Sequence, residues 1–146
     1  MANASRLALT LLGLIGAVLA SETLGQATDW PWLGVLVSDI TAVEAQGLGS
    51  SEGGALVTSV EHASAALAAG IRRYDLIIAI DGQTAANTRE LMCLIQSRQP
   101  GDVVRVTVVR AGKRQAIAAQ LGRWPDVKDV APPRRGDCGR DKVSAW

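Results

Sequence analysis

The chain has 146 residues, is 48% hydrophobic and carries a formal net charge of +1 at pH 7. This charge argues against a nucleic-acid-binding protein, which normally presents a basic patch and a high isoelectric point. A single histidine and two cysteines leave few residues for metal or nucleophile chemistry, so we expect no metal and no cofactor. With no phenylalanine and one tyrosine, any core must be built from Ala, Val, Leu and Ile.

Residues 1–27 are typical of an export signal. One positive side chain, Arg6, precedes an uncharged apolar run from Leu7 to Ala20, which is short for a membrane-spanning helix of about 17–25 residues. Small residues offer cleavage after Ala20 or Ala27, and Ala27 is favoured because Glu22 then falls in the removed segment. We therefore expect a periplasmic or secreted protein. An uncleaved membrane anchor is the alternative.

The first half of the remaining chain predicts two strands and a short helix. Residues 32–40, "WLGVLVSDI", are strand-like but interrupted by Gly34. "TAVEAQGLG" can hold one turn of helix, and Ser50 to Gly54 form a loop by composition. "ALVTSVE" reads as a strand. Ser64 to Gly70 then combine a serine cap, alanine-rich helix formers and a glycine stop.

The second half predicts three strands and a longer helix. Leu76 to Ile80, "LIIAI", form a continuous apolar run, which indicates a buried strand, and Asp81-Gly82 closes it with a tight turn. The following helix can be capped by Asn87 or Thr88 and ends at Pro100-Gly101. Residues 103–110 and 114–121 read as two strands joined by a turn at Ala111-Gly112.

Periodicity fails in the last part of the chain. Residues 125–146 are charged, contain prolines and lack the apolar surface needed to offset the entropy of ordering, so we predict a flexible tail. One domain is expected over residues 28–124. It should be a small α+β unit in which two helices cover a strongly curved, mostly antiparallel sheet or partial barrel.

Three segments of this domain resemble the PDZ domains of bacterial envelope proteins, above all those of HtrA-type proteases. They are "WLGV", "GALVTSVEHASAALAAGIRRYDLIIAIDG" and "NTRELMCLIQSRQPGDVVRVTVVRAGK", and the resemblance covers roughly residues 32–121. It implies a single PDZ-like domain. Two positions depart from the family pattern: Tyr74 replaces a common glycine and should need an awkward backbone angle, and Ala65 replaces a common helix-initiating proline.

The resemblance also implies a peptide-binding groove. Backbone N–H groups around Gly34 would hold the C-terminal carboxylate of a peptide, as successive amides of a tight loop can bind an anion, and glycine would leave room for it. The peptide would then pair with residues 35–38, and a helix over residues 88–98 would form the other wall, with Leu91 and Leu94 turned to the core. The implied binding residues are Trp32, Leu33, Gly34, Val35, Leu36, Val37, Thr88, Met92 and Ile95.

These assignments carry two expectations about the ligand. The pocket walls Leu33, Val35, Met92 and Ile95 are apolar, so the ligand should be an extended peptide or protein C-terminus that ends in an apolar residue. Replacing Gly34 with valine should abolish binding and leave the domain folded.

Other function classes fit the sequence less well. A Ser-His-Asp protease needs a nucleophile, a base and an orienting acid on a scaffold, but His62 is the only imidazole and no "GNSGG"-like loop is present. We therefore predict a binding module that is not an enzyme. An accessory or regulatory subunit of an HtrA-type protease, or of a secretion or envelope assembly, remains the alternative.

Two further hypotheses concern the tail. Cys93 and Cys138 are either independent thiols or, in an oxidising compartment, a disulfide that closes a long loop. The last residues, Ser144, Ala145 and Trp146, spell a serine, any residue and an apolar terminus. This resembles a general ligand pattern of PDZ domains, so the chain's own C-terminal tail is a candidate ligand for the groove.

Overall fold

A computed structural model of the chain describes residues 29–125 and residue 138. The predicted signal segment and most of the predicted tail lie outside the described residues. In chain order the elements are β1 (Pro31–Trp32), β2 (Val35–Asp39), α1 (Ala42–Gly47), β3 (Ala55–Val60), α2 (Ala65–Ala69), β4 (Leu76–Ile80), β5 (Gln83–Thr84), α3 (Thr88–Gln96), β6 (Val103–Arg110), β7 (Lys113–Gln120) and β8 (Gly122–Arg123).

The main sheet is antiparallel and open. Its strands follow the order β2-β3-β4-β6-β7, and the short strand β5 pairs with β4. Within the described residues, β2 and β7 are edge strands, so the sheet does not close into a barrel. A separate two-stranded ladder joins Pro31 to Arg123 and Trp32 to Gly122. The fold is the small α+β unit that the sequence predicts.

The first predicted strand is wrong as a single element. Residues 32–40 are divided by a break at Leu33 and Gly34, and the two parts pair with different strands. The physical reason lies in Gly34, whose φ of +83° belongs to the left-handed region that ends an extended segment. The break turns the backbone from the small ladder into the main sheet.

The number of helices also differs from the prediction of two. The described residues contain a third helix, α1, where the sequence suggested only a turn. A capping box stabilises it: the Thr41 hydroxyl accepts a hydrogen bond from the Glu44 N–H, and the Glu44 carboxylate accepts one from the Thr41 N–H at 2.7 Å. Reciprocal capping therefore compensates for the short length of α1.

The core is aliphatic, as the composition requires. One large cluster lies between the inner face of the sheet and the helices α2 and α3, and it includes Leu33, Ile71, Leu91 and Ile95. A smaller cluster of Leu76, Ile78 and Val109 packs with Ile40 and Leu56. Because β2 and α3 both contribute to the large cluster, the same packing that stabilises the domain also sets the spacing of the predicted groove.

Tyr74 adopts the awkward backbone angle that the sequence predicts. Its φ is +72°, in a region that L-residues with bulky side chains rarely enter. The loop keeps this conformation because the Tyr74 N–H donates to the Val57 carbonyl at 2.8 Å. The side chain is exposed, and the Arg73 guanidinium lies 4.8 Å from the centre of its ring.

Candidate functional site

The predicted groove lies between strand β2 and helix α3. At one end, the Thr88 N–H at the start of α3 donates to the Asp39 carboxylate at the end of β2, at 2.7 Å. At the other end, α3 packs against β1, which directly precedes the Leu33-Gly34 break. Strand and helix therefore run in opposite directions, with the break at one end of the groove and the Asp39–Thr88 contact at the other.

Strand β2 offers a free edge to the groove. It pairs with β3 on one side only and has no second partner strand among the described residues. An unpaired edge presents a row of backbone N–H and C=O groups to which another strand can add. The edge is short, and a register shift between Leu36 and Val37 interrupts its ladder with β3, so it can accept only a few residues of an added strand.

The loop at the start of β2 is held by hydrogen bonds from the first turn of α2 and from the segment before that helix. The Leu33 carbonyl accepts a hydrogen bond from the Ala66 N–H at 2.8 Å, and the Gly34 carbonyl accepts one from the Glu61 N–H at 2.9 Å. In a trans peptide unit the C=O and the following N–H point in opposite directions. The N–H groups of Gly34 and Val35 therefore point away from α2.

The N–H groups of Leu33, Gly34 and Val35 are available to a ligand. Neither the Leu33 N–H nor the Gly34 N–H donates to another group in the part of the chain that the structure describes. Val35 lies opposite Val60, next to the hydrogen-bonded pair of Gly34 and Glu61, and alternate residues of an antiparallel strand point their N–H groups outward. Successive outward N–H groups form the kind of backbone nest that binds an anion.

The structure gives a reason for glycine at position 34 that the sequence does not show. A Cβ atom at this position would lie 2.2 Å from the Ser64 Cβ and 3.3 Å from Trp32 Cη2. The side chain would thus collide with the start of α2, and glycine is required because the loop packs against Ser64. The clash and the φ of +83° both disturb the native loop, so Gly34→Val should lower the stability of the domain as well as its binding.

The other predicted residues of the loop and of β2 differ in exposure. Leu33 is buried in the core at 4% exposure, whereas Leu36 is 57% exposed. Val35 and Val37 are partly buried and pack against the large cluster. Trp32 is half-buried and stacks edge-on against Trp124, with ring centroids 6.5 Å apart. The role of Trp124 beside the loop was missed, because the sequence carries no signal that β1 and β8 pair.

Helix α3 turns some of its predicted residues to the core and leaves others partly exposed, as its periodicity requires. Leu91 and Ile95 are buried at 2% and 7% exposure, and they lie one turn apart on the same face. Met92 is half-buried, one position around the helix, on the side that it shares with Thr88. Ile95 belongs to the core cluster, so it can reach the groove only at its edge. Leu94 packs against the core as predicted.

Cys93 lies on the outer side of α3, two positions from both Leu91 and Ile95 and therefore turned away from their face. The structure joins its sulfur to that of Cys138 in a disulfide. A cavity of about 400 Å³ lies beside this bond, lined by Thr84, Asn87, Arg89, Glu90, Leu94 and both cysteines. None of the predicted groove residues lines this cavity.

A buried ion pair stabilises the far end of α2. Asp75 is 2% exposed and accepts two hydrogen bonds from Arg110, at 2.8 and 2.6 Å, and one from the Arg72 N–H at 2.8 Å. Burial raises the pKa of Asp75, but the hydrogen bonds from Arg110 and Arg72 outweigh it, and the net pKa lies below the usual value. Arg110 also donates to the Gly70 carbonyl that follows α2.

Three comparisons place this geometry among known proteins. The PDZ domain family model matches residues 31–121, from β1 to the residue before β8. The chain belongs to the PDZ family. The matched region is a binding module. Some longer proteins that contain such a region are proteases.

The curated relatives are longer proteins. A probable periplasmic serine endoprotease DegP-like of Rhizobium meliloti (strain 1021) is 32% identical over 121 residues, which cover 77% of this chain and 24% of the relative. A protein of the same description from Halomonas elongata is 30% identical over 107 residues, covering 73% of this chain and 23% of the relative. The chain thus spans about a quarter of the length of these relatives.

Solved structures show the same architecture. The HtrA-type protease AlgW with decapeptide superposes with a TM-score of 0.58 at 31% identity, over 71% of this chain and 30% of that chain. The HtrA3 PDZ domain bound to a phage-derived ligand, FGRWV, superposes with a TM-score of 0.53 at 19% identity, over 65% of this chain and 95% of that chain. The second comparison supports the fold alone.

Two other results bear on the remaining function classes. No helix within residues 29–125 has the length and apolar character needed to cross a membrane. In the same residues, no group of three or more His, Cys, Asp or Glu side chains could hold a metal ion. His62, the single imidazole, is exposed, and the hydroxyl of the nearby Ser64 caps α2.

Proposed function

We propose that the chain binds extended peptides or protein C-termini, without catalysing a reaction, by adding them as a strand to β2. The observation that carries this proposal is the orientation of the Gly34 and Val35 N–H groups, which point away from α2 at the end of the free edge of β2, where no described residue accepts the Gly34 N–H. A peptide carboxylate would accept hydrogen bonds from the N–H groups of the loop, and its backbone would pair with residues 35–38.

The proposed groove favours an apolar terminal side chain. Its rim consists of Val35, Met92 and the edge of Ile95 over the core residue Leu33, and we infer no charged side chain within it. Strand pairing over residues 35–38 and one side-chain pocket bury well below the ~1,200 Å² of small stable interfaces. The affinity should therefore be modest, about micromolar, or near −8 kcal/mol.

The test compares two forms of one peptide, which leaves the protein unchanged. A peptide that ends in an apolar residue is prepared with a free carboxylate and with a C-terminal amide, and binding is measured by calorimetry. Hydrogen bonds to a charged group contribute ~1.5–3 kcal/mol, so the amide should bind at least about tenfold more weakly. Equal affinities of the two forms would contradict carboxylate recognition. A peptide with N-methylated backbone amides tests strand addition in the same way.

The chain's own tail is one candidate ligand. Residues 139–146 lie outside the described residues, but the sequence Lys142 to Trp146 can be tested as a free peptide with the same calorimetry. We expect the pentapeptide to bind at least as well as a matched peptide in which Trp146 is replaced by Asp. Tighter binding of the aspartate form would remove the tail as a candidate.

The place of action is proposed to be the cell envelope or the exterior. The apolar run at residues 7–20 and the description of the relatives as periplasmic support this proposal. Expression of the full chain followed by cell fractionation and mass spectrometry tests it. We expect the protein in the periplasmic fraction, shortened by residues 1–27. Full-length protein in the membrane fraction would favour the uncleaved anchor.

A second candidate function is regulation of a separate HtrA-type protease. It is favoured by the description of the relatives as serine endoproteases, in which the matched region is about a quarter of the chain. Adding the purified chain to such a protease from the same organism should change its rate of peptide cleavage. The amidated and free peptides above should then relieve that change in proportion to their affinities for the groove.

A further inference from the structure

We infer that Ser64 is a positioning residue for carboxylate recognition: through its contacts behind the loop it aims the N–H groups of Gly34 and Val35 into the groove. This inference rests on the proposed function and adds a residue outside the groove to it. Ser64 is 4% exposed and is one of three buried polar or charged residues within the described part of the chain.

The first link is between the Ser64 hydroxyl and the segment before α2. The hydroxyl donates to the Glu61 carbonyl at 2.7 Å and accepts from the Leu67 N–H at 3.1 Å. It thereby closes the turn over residues 61–64, in which Ala63 has a φ of +54°. Because an alanine in the left-handed region is strained, the turn needs this hydrogen bond to keep its conformation.

The second link is between this turn and the loop. The Glu61 N–H donates to the Gly34 carbonyl, and the Ala66 N–H, in the helix that Ser64 caps, donates to the Leu33 carbonyl. These two bonds orient two consecutive peptide units. Since the C=O and N–H of each unit are antiparallel, they also determine where the Gly34 and Val35 N–H groups point.

The third link is direct contact. A Cβ on Gly34 would meet the Ser64 Cβ at 2.2 Å and the Ser64 Oγ at 2.9 Å, so Ser64 packs against the bare Cα of Gly34. The loop cannot move back toward α2, because Ser64 occupies that space. Ser64 therefore determines both the orientation of the loop and how closely the loop can approach α2.

The test measures how well each variant distinguishes a free carboxylate from an amide. The readout is the ratio of the affinities of the two peptide forms described above, which is unaffected by a general loss of folded protein. In Ser64→Ala, which keeps the Cβ and loses the hydroxyl, we expect this ratio to fall at least about fivefold, as charged hydrogen bonds lose their alignment. The N-methyl effect should remain, since the edge of β2 is unchanged.

Ser50 provides a matched control. It is 1% exposed, donates to the Gly53 carbonyl at 2.8 Å and accepts from the Glu52 N–H at 3.3 Å, and none of these hydrogen bonds reaches residues 32–35. Ser50→Ala and Ser64→Ala should each lower the melting temperature by a few degrees, on the order of 5 °C. Only Ser64→Ala should change the carboxylate-to-amide ratio.

A second variant tests the link if Ser64→Ala does not fold. Glu61→Pro removes the N–H that binds the Gly34 carbonyl and keeps the Ser64 cap, and the extended residue before position 61 is compatible with proline. It should lower the ratio in the same direction. An unchanged ratio in a folded Ser64→Ala or Glu61→Pro protein overturns the inference. A wild-type ratio near one instead overturns the proposed function, so the two failures are distinguishable.

Discussion

The two walls of the proposed groove are held mainly by different kinds of interaction. The loop wall, residues 32–35, is attached by two backbone hydrogen bonds and one close contact to the start of α2. The helix wall, α3, is attached by the packing of Leu91 and Ile95 and by the Asp39–Thr88 hydrogen bond. Directional bonds set the angles of the loop N–H groups, whereas packing sets only the distance of the helix. We therefore expect carboxylate recognition to be sensitive to the loop wall and side-chain preference to the helix wall.

The largest effect is expected at the loop wall. Gly34→Ala combines a strained φ of +83°, which costs about 1–2 kcal/mol, with the clash against Ser64, which adds roughly 1–3 kcal/mol. Gly70→Ala is the matched control, because its φ is +87° and no heavy atom lies within 4 Å of the added Cβ. Chemical denaturation should show the larger loss for Gly34→Ala. Equal losses would mean that the contact with Ser64 is unimportant.

The next largest effect is expected from the disulfide between Cys93, on α3, and Cys138. Replacing Cys93 and Cys138 together with serine opens a covalent loop with a sequence separation of 45, which should lower the free energy of unfolding by about 3–4 kcal/mol in the chain-entropy model. Cys93 faces away from Leu91 and Ile95, so peptide affinity should change less than about threefold. Wild type treated with a dithiol reductant should behave like the double variant. Two titratable thiols in the exported native protein would show that the disulfide does not form.

A comparable loss is expected from the Asp75–Arg110 ion pair at the far end of α2. Asp75→Asn removes the charged partner of Arg110, which should cost about 2–3 kcal/mol at pH 7 because Arg110 is partly exposed and keeps its hydrogen bond to the Gly70 carbonyl. The folded pKa of Asp75 lies below that of the unfolded chain, so the ionised carboxylate stabilises the fold above the unfolded value of about 3.9. This stabilisation is lost as the pH falls from there through the folded pKa.

Denaturation as a function of pH checks whether the stabilisation by Asp75 is lost at low pH. The difference in stability between wild type and Asp75→Asn should be full at pH 7 and should shrink below about pH 4. Glu52→Gln is the control, since its pair with Arg114 spans 3.7 Å between two exposed side chains and should contribute under about 1 kcal/mol. A constant difference for Asp75→Asn down to about pH 2 would contradict the assignment.

The smallest effect is expected at the helix wall. Met92→Ala should weaken binding of an apolar-ended peptide by about fivefold, or ~1 kcal/mol, because part of the terminal side chain loses its contact. Its stability should change little, as Met92 is only half-buried. Leu91→Ala, one residue away, should instead lose about 2–5 kcal/mol of stability. Calorimetry and denaturation of both variants separate the two roles, and unchanged binding by Met92→Ala would take this residue out of the groove.

Most of the local structure was predictable because its causes are local. Three elements follow from residues within or next to them: β4 (Leu76–Ile80) from its apolar run, α2 from its serine cap and glycine stop, and the hairpin of β6 and β7 from the turn between them. Helix α3 was also predicted, and of its two candidate caps, Asn87 and Thr88, the structure uses Asn87. Its Glu90 side chain accepts the N–H of Ala86 and not that of Asn87, a detail that depends on the incoming chain direction.

The sequence by itself determined the aliphatic core, the order of the main elements and the likeness to PDZ domains, because periodicity, caps and turn residues act over short distances. Only the tertiary structure decided why Gly34 is a glycine. Its partner, Ser64, is thirty positions away in a segment whose own pattern indicates nothing more than a helix cap. The pairing of β1 with β8 and the burial of Asp75 against Arg110 were decided in the same way. Each joins residues that no local pattern relates, so each is determined by how the whole sheet curves and closes on its helices.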